Sequence, residues 1–155
     1  MIKDIINSIS KISDQSFDEI SKILQYREIN KSNDFIHEGR INNYEYFILE
    51  GIAKSYVLSP EGEEITLSFF DTKSVLSPKI IRTKEETSLI NVRALTNLKI
   101  AFIDATKFAE LMVTNLDIRN FGNQVLRNEL KIKMEKEIDL ASLSAKERLN
   151  RFRDR

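Results

Sequence analysis

Arg82 and Arg93 are the side chains in this sequence best suited to holding an anion, and little else in it is arranged for chemistry. Arg82 stands with Lys79 and Lys84 in a polar stretch, 71–88, from which a guanidinium could attract a phosphate or carboxylate. The competing reading is a solvated loop face, since Glu85 and Glu86 follow directly. Arg93 falls in a strand-like run and could point inward; its competing reading is a surface arginine or one paired with a carboxylate. His37 is the only histidine, which excludes a multi-histidine metal site. Its setting, His37-Glu38-Gly39-Arg40, reads as a polar turn rather than a haem-ligating position. Glu63-Glu64 and Glu85-Glu86 are adjacent pairs, and neighbours on a strand point to opposite faces. They read as solvated carboxylates, not as a general acid and base. The sequence has no Gly-x-Ser-x-Gly elbow and no glycine-rich phosphate loop. Cysteine is absent, so disulfides, thiolate zinc sites, cysteine nucleophiles and cysteine-held iron–sulfur clusters are excluded. The expectation is a non-enzyme with no metal and no cofactor.

Charge and length narrow the class further. The 155 residues carry 24 Lys and Arg against 24 Asp and Glu, a formal net charge of zero. Without a basic field the chain is a poor nucleic-acid binder by itself. At 41% apolar residues it can build one real core. No apolar run is long enough to span a bilayer, and Met1-Ile2-Lys3-Asp4 does not open a signal peptide. These features, with the missing cysteine, fit a cytoplasmic protein with no membrane partner.

The elements that must position these residues read as helices, then strands, then helices. Ile2, Ile5, Ile6 and Ile9 recur at the spacing of one helical face. Ser16-x-x-Glu19 has the form of a capping box before Phe17, Ile20, Ile23 and Leu24. Strands are expected at 26–29, 35–36 and 44–49, and Gly51 permits a bend before the next, 52–58. Pro60 and Gly62 close a hairpin into 63–70, where Ile65, Leu67 and Phe69 should share one half-buried face. A polar loop over 71–88 then precedes strands at 89–95 and 98–103. Asp104 should cap a short helix with Phe108, Leu111 and Met112 facing inward.

From Leu116 to about Ala141 the sequence has no proline and only Gly122 among glycines, which predicts a helix of roughly 39 Å. Two apolar lines run along it. Ile118, Phe121, Val125 and Ile132 form one, expected to pack on the strands. Leu126, Leu130, Met134 and Ile138 form the other, expected to meet the same helix of a second copy. Burying the second line would gain about 1.5–3 kcal/mol per side chain before entropic costs. The plainer alternative is one line on the body and no partner. Asn128, Glu129 and Lys133 interrupt a strict heptad, so the body should share in the association.

The run Tyr46-Phe47-Ile48-Leu49-Glu50-Gly51, the turn Glu61-Gly62 with Glu64-Ile65, Val92-Arg93-Ala94-Leu95-Thr96 and the long helix together resemble the sensor domain of the Crp/Fnr family of bacterial transcription regulators. The resemblance covers about 20–141. It implies a mainly β fold with flanking helices, a double-stranded β-helix (jelly roll) over 1–115, followed by a dimerisation helix over 116–143. It further implies that 144–155, with Ser144-Ala145-Lys146-Glu147-Arg148-Leu149, begins the connection to a winged helix-turn-helix domain. DNA would be met only through that domain, which this chain does not contain. The basic residues of 146–155 otherwise read as a frayed end.

Members of the family that bind cyclic AMP resemble Gly-Glu-…-Arg-Ser-Ala before the penultimate strands. Aligned on Val92-Arg93-Ala94, the present sequence has Ser88 for the arginine, Leu89 for the serine and Ile90 for the alanine. None of its glycines, Gly39, Gly51, Gly62 and Gly122, lies between Asp71 and Ile103. A phosphate there would lose a charge-assisted contact worth about 1.5–3 kcal/mol and the close backbone approach that glycine allows. The resemblance therefore implies an effector-sensing homodimer that does not respond to cyclic AMP, with an unknown small-molecule effector for which Arg82 and Arg93 are the candidates. The alternatives are a stand-alone dimerisation or scaffold module with a vestigial pocket and, less well supported for want of metal ligands, a cupin-like enzyme.

Overall fold

The structure, a computed structural model, describes residues 1–77 and 83–153, with the side chains of 143–148 and 151–153 left aside. Two helices open the chain, α1 (Ile2–Ile9) and α2 (Asp14–Ser21). Eight strands follow among the described residues: β1 (Gln25–Ile29), β2 (Asp34–Ile36), β3 (Tyr44–Glu50), β4 (Ala53–Leu58), β5 (Glu64–Phe70), β6 (Ser74–Leu76), β7 (Asn91–Ala94) and β8 (Leu98–Asp104). Helices α3 (Ala105–Thr114) and α4 (Leu116–Arg153) complete it. The strands form two antiparallel four-stranded sheets, ordered β1-β8-β3-β6 and β2-β7-β4-β5. This is the expected jelly roll with its flanking helices.

Alternation along β3 creates two cores from one strand. Tyr46 and Ile48 point between the sheets, where they join Ile36, Val92, Leu98 and Ile100. Phe47 points the other way, into a second cluster with Ile6, Ile20, Ala101, Ile103, Ile118 and Phe121. The helices α1 to α3 and the first turns of α4 therefore cover the outer face of the first sheet. Its partner sheet turns an outer face to solvent.

Gly51 ends β3 at φ +103°, a conformation that side-chain-bearing residues rarely adopt. A Cβ there would meet Asn97 O at 2.5 Å and Thr96 Oγ1 at 2.7 Å. The absence of a side chain thus lets the β7–β8 turn close over the β3–β4 turn. There Thr96 Oγ1 accepts from Ile52 N at 3.0 Å, and Ile52 O accepts from Leu95 N at 2.8 Å.

Several details differ from the sequence reading. The cap of α2 is Ser13, whose Oγ accepts from Ser16 N at 3.1 Å. Ser16 and Glu19 are recruited elsewhere. Ser16 Oγ donates to Asp117 at 3.0 Å, and Glu19 Oε2 accepts from Asn115 Nδ2 at 2.9 Å. Asn115 Oδ1 accepts from Ile118 N at 3.1 Å, so one polar knot starts α4 and ties it to α2. Asp104 caps α3 as expected, accepting from Lys107 N at 3.0 Å. The expected loop 71–88 contains β6, a three-residue strand whose polar flanks hid it; it pairs with Tyr46–Ile48 of β3.

The shared face expected of Ile65, Leu67 and Phe69 does not exist. A bulge lies where Ser55 pairs with Ser68 but Tyr56 pairs with Thr66, leaving Leu67 without a partner. One extra residue reverses the alternation. Ile65 lies opposite Val57, while Phe69 lies opposite Lys54 on the other face, and all three side chains are exposed.

In α4, Ile118, Phe121 and Val125 are buried as expected, but Ile132 is half exposed and does not belong to the body-packed line. The strands no longer lie beneath that turn. The helix also runs without a break to Arg153, 38 residues or about 57 Å, past the expected end near 141–143.

Candidate functional site

The joint between α4 and the roll is where the structure concentrates its unusual chemistry. Among the described residues Val125 is the last buried apolar one of the helix. Glu129 follows one turn later on the same face. Its Oε1 accepts from Ser77 N, the first residue after β6, at 3.2 Å. Its Oε2 is buried with no hydrogen-bond partner among the described residues. Burial, with the nearby Glu45 carboxylate as a lesser cause, lifts Glu129 from 4.5 to about 7; the Ser77 bond opposes the rise. Two turns on, Lys136 Nζ donates to Leu67 O at 3.2 Å and to Ser68 Oγ at 3.0 Å. The residue extruded by the β5 bulge is thus held by the helix. Sequence reasoning missed both residues as site members, since Glu129 read only as a fault in a heptad. Its signal was a carboxylate continuing the spacing of a buried apolar line.

Arg93 is spent elsewhere. Its neighbours Val92 and Ala94 belong to the inter-sheet core, so Arg93 projects from the outer face of the second sheet. There its Nε donates to Asp34 Oδ1 at 2.9 Å, Nη1 to Glu64 Oε1 at 2.6 Å and Nη2 to the Tyr56 hydroxyl at 2.8 Å. Tyr56 in turn donates to Asp34 Oδ2 at 2.5 Å. Lys54 Nζ reaches Glu64 at 3.0 Å, and the Lys54 ammonium followed by Arg93 holds Glu64 below the usual carboxylate range. Two carboxylates and a phenol occupy the guanidinium, which matches the paired-arginine alternative. Arg82 and Lys79 lie outside the described residues.

The position where the family resemblance calls for arginine is closed. Ser88 is 1% exposed; its hydroxyl donates to Ile90 O at 2.8 Å and accepts from Ile90 N at 3.2 Å. Ile90 is buried in the inter-sheet core. Backbone bonds from Gly39 N to Ser88 O (2.8 Å) and Ser88 N to Arg40 O (2.9 Å) fix the segment to the turn containing His37. A serine folded onto its own backbone offers an anion no positive charge. Among the described residues no group of three His, Cys, Asp or Glu could hold a metal ion. No helix among them is long and apolar enough to cross a membrane.

Of the four residues expected at a dimer interface, Leu126 is partly buried beside the body. Leu130, Met134 and Ile138 are 49%, 60% and 60% exposed. They continue outward from the joint, with Ile132 and Leu140 also exposed.

Comparison with known proteins agrees with this architecture. Two four-stranded sheets rolled together, with a helix packed across one and projecting beyond it, define a β-roll domain with a projecting C-terminal helix. The family model described as "Cyclic nucleotide-binding domain" matches residues 26–115, and the chain belongs to that family. Among solved structures it is similar to a cyclic nucleotide-binding domain from Methylobacillus flagellatus, with 15% identity and TM-score 0.75, covering 89% of this chain and 79% of that one. It is also similar to the sensor domain of the transcriptional regulator DNR from Pseudomonas aeruginosa, with 15% identity, TM-score 0.68 and coverage of 87% and 86%. A third is the catabolite activator protein of Thermus thermophilus, with 14% identity, TM-score 0.69 and 84% of this chain covered. The chain spans 61% of the length of that protein. No curated protein sequence matches it. The resemblance to Crp/Fnr regulators read from the sequence thus holds at the level of the domain and its structural neighbours.

Proposed function

We propose that this chain is the effector-sensing domain of a Crp/Fnr-like transcription regulator, that it pairs with a second copy through the distal half of α4, and that its effector is not cyclic AMP. The observation that carries the pairing is the row Leu130, Met134 and Ile138, exposed on a helix that continues well past its last buried contact. A long apolar strip in water is unusual for a monomer, and a matching helix covers it by self-complementarity. On this reading DNA would be met by a winged helix-turn-helix domain and not by the roll or α4. Ligand binding near the joint would shift the balance between two placements of α4, provided the ligand prefers one of them.

The cyclic AMP reading is disfavoured by Ser88 and Ile90, which fill the place of the phosphate cradle with their own contacts. The same filling supports the second reading, a dimerisation or scaffold module without an effector. Two experiments separate these. Leu130→Lys with Met134→Lys should convert dimers to monomers in light scattering, and an unchanged mass would remove this interface from consideration. Calorimetric titration with cyclic AMP and cyclic GMP should give no heat of binding, and low-micromolar affinity for either would overturn the reading of the pocket.

A further inference from the structure

A cavity of about 270 Å³ lies between the outer face of the first sheet and helices α3 and α4. The core between the sheets, which Tyr46, Ile48, Ile90 and Val92 fill, lies on the other side of that sheet, and Tyr46 borders both. Phe47 and Val75 form its floor, Phe108 and Met112 one wall, and Phe121 and Val125 the other. The lining is mostly apolar, with Asn43, Glu45, Ser77, Glu86 and Thr106 as its polar members. That is the general character of a small-molecule site. The volume exceeds the roughly 150 Å³ that holds a benzene ring, and suits one ring with a short tail.

The helix is shaped around this space. A Cβ on Gly122 would meet Met112 Cε at 2.7 Å and Sδ at 2.8 Å, driving the methionine from its place in the wall. Ser77 N is already given to Glu129 Oε1, and Glu129 Oε2 has no partner among the described residues. Glu129 is not itself a lining residue; it lies one turn beyond the lining Val125, and its bond to the lining Ser77 sets its carboxylate at the edge of the cavity. A buried carboxylate oxygen without a donor is costly, and a ligand that brings a donor would relieve it. Glu45, which also lines the cavity, adds negative potential on the same side.

We propose that this cavity binds a small arylalkyl amine, the ring among Phe47, Phe108 and Phe121 and the ammonium on Glu129. The site stands on the cavity alone and holds whether or not the chain dimerises. If the sensor reading is right, the amine places its effector at the base of α4, one turn before the helix leaves the body.

The test is titration of the intact chain with phenethylamine, followed by calorimetry and amide chemical shifts, with 3-phenylpropionate as the anionic control. Ala109→Phe blocks the cavity from an exposed position on α3, and Glu129→Gln keeps an acceptor for Ser77 N while removing the charge. Circular dichroism melts verify that both variants fold, and light scattering on the same samples reads dimerisation separately. Saturable phenethylamine binding is expected, weakened roughly tenfold or more by each variant, as for one charge-assisted contact or a lost ring site, with no binding of the propionate. Absence of saturable binding, equal binding of the propionate, or binding that either variant leaves unchanged would overturn the proposal.

Discussion

The two halves of α4 are one continuous helix with opposite surroundings. Its first turns place Ile118, Phe121 and Val125 against Phe47 and Ile103, at 0–7% exposure for the three helix residues. Beyond Glu129, side chains of similar apolarity stand half exposed or more. Helix propensity does not distinguish the halves; the presence of a partner surface does. The proximal half is held by the protein's own sheet. Among the described residues the distal half has one polar tie, Lys136 to β5, and an apolar row that calls for a surface outside the chain.

Mutations should separate the halves in order of effect. Phe121→Ala removes a ring stacked on Phe47 at 6.4 Å and edge-on to Phe108 at 6.2 Å. It should destabilise the fold by about 3–5 kcal/mol in urea unfolding. A loss below about 1 kcal/mol would mean the proximal half is not anchored as described.

The boundary residue gives a pH-dependent effect. Glu129 is raised from 4.5 to about 7 in the fold, so between those values the folded state holds more proton than the unfolded one. Stability attributable to this group therefore falls as pH rises from about 4.5 to about 7, by on the order of 3 kcal/mol at most. Glu129→Gln should raise stability at pH 8 and change it little at pH 4.5. Thermal melts across that range should show a smaller fall with pH for the variant. Parallel curves would contradict the burial of Glu129.

Smaller effects belong to the distal half. Lys136→Met removes two exposed hydrogen bonds and should lower stability by about 1 kcal/mol or less. Ile138→Ser should change the stability of the isolated monomer by no more than about 0.5 kcal/mol, as a surface substitution, yet weaken dimerisation measurably in sedimentation. A large loss of monomer stability would place Ile138 against the body and erase the contrast.

Much of this was legible in the sequence. The apolar run of β3, the period of two in β4, the Pro60–Gly62 turn, Gly51 and the Asp104 cap are local signals, and local signals survive folding. The base of α4 was legible for the same reason, through Ile118, Phe121 and Val125. What was hidden depended on pairing across distance. The bulge in β5 is set by register against β4, so the common face of Ile65, Leu67 and Phe69 could not be tested from spacing alone. Ser16 and Glu19 had the spacing of a capping box but were claimed by Asn115 and Asp117, about a hundred residues away. Spacing left Arg93 open between an anion ligand and a paired arginine, and only the convergence of Asp34, Glu64 and Tyr56 from three other strands decides it. Glu129 became meaningful only when Ser77 was placed beside it.

Amide hydrogen exchange, resolved by segment at two protein concentrations, tests the contrast between the halves most directly. Residues 116–126 should exchange slowly and independently of concentration. Residues 130–142 should be protected at high concentration and lose that protection on dilution below the dimer dissociation constant. Protection of 130–142 that is the same at both concentrations, or absent at both, would contradict a distal half held by a second copy.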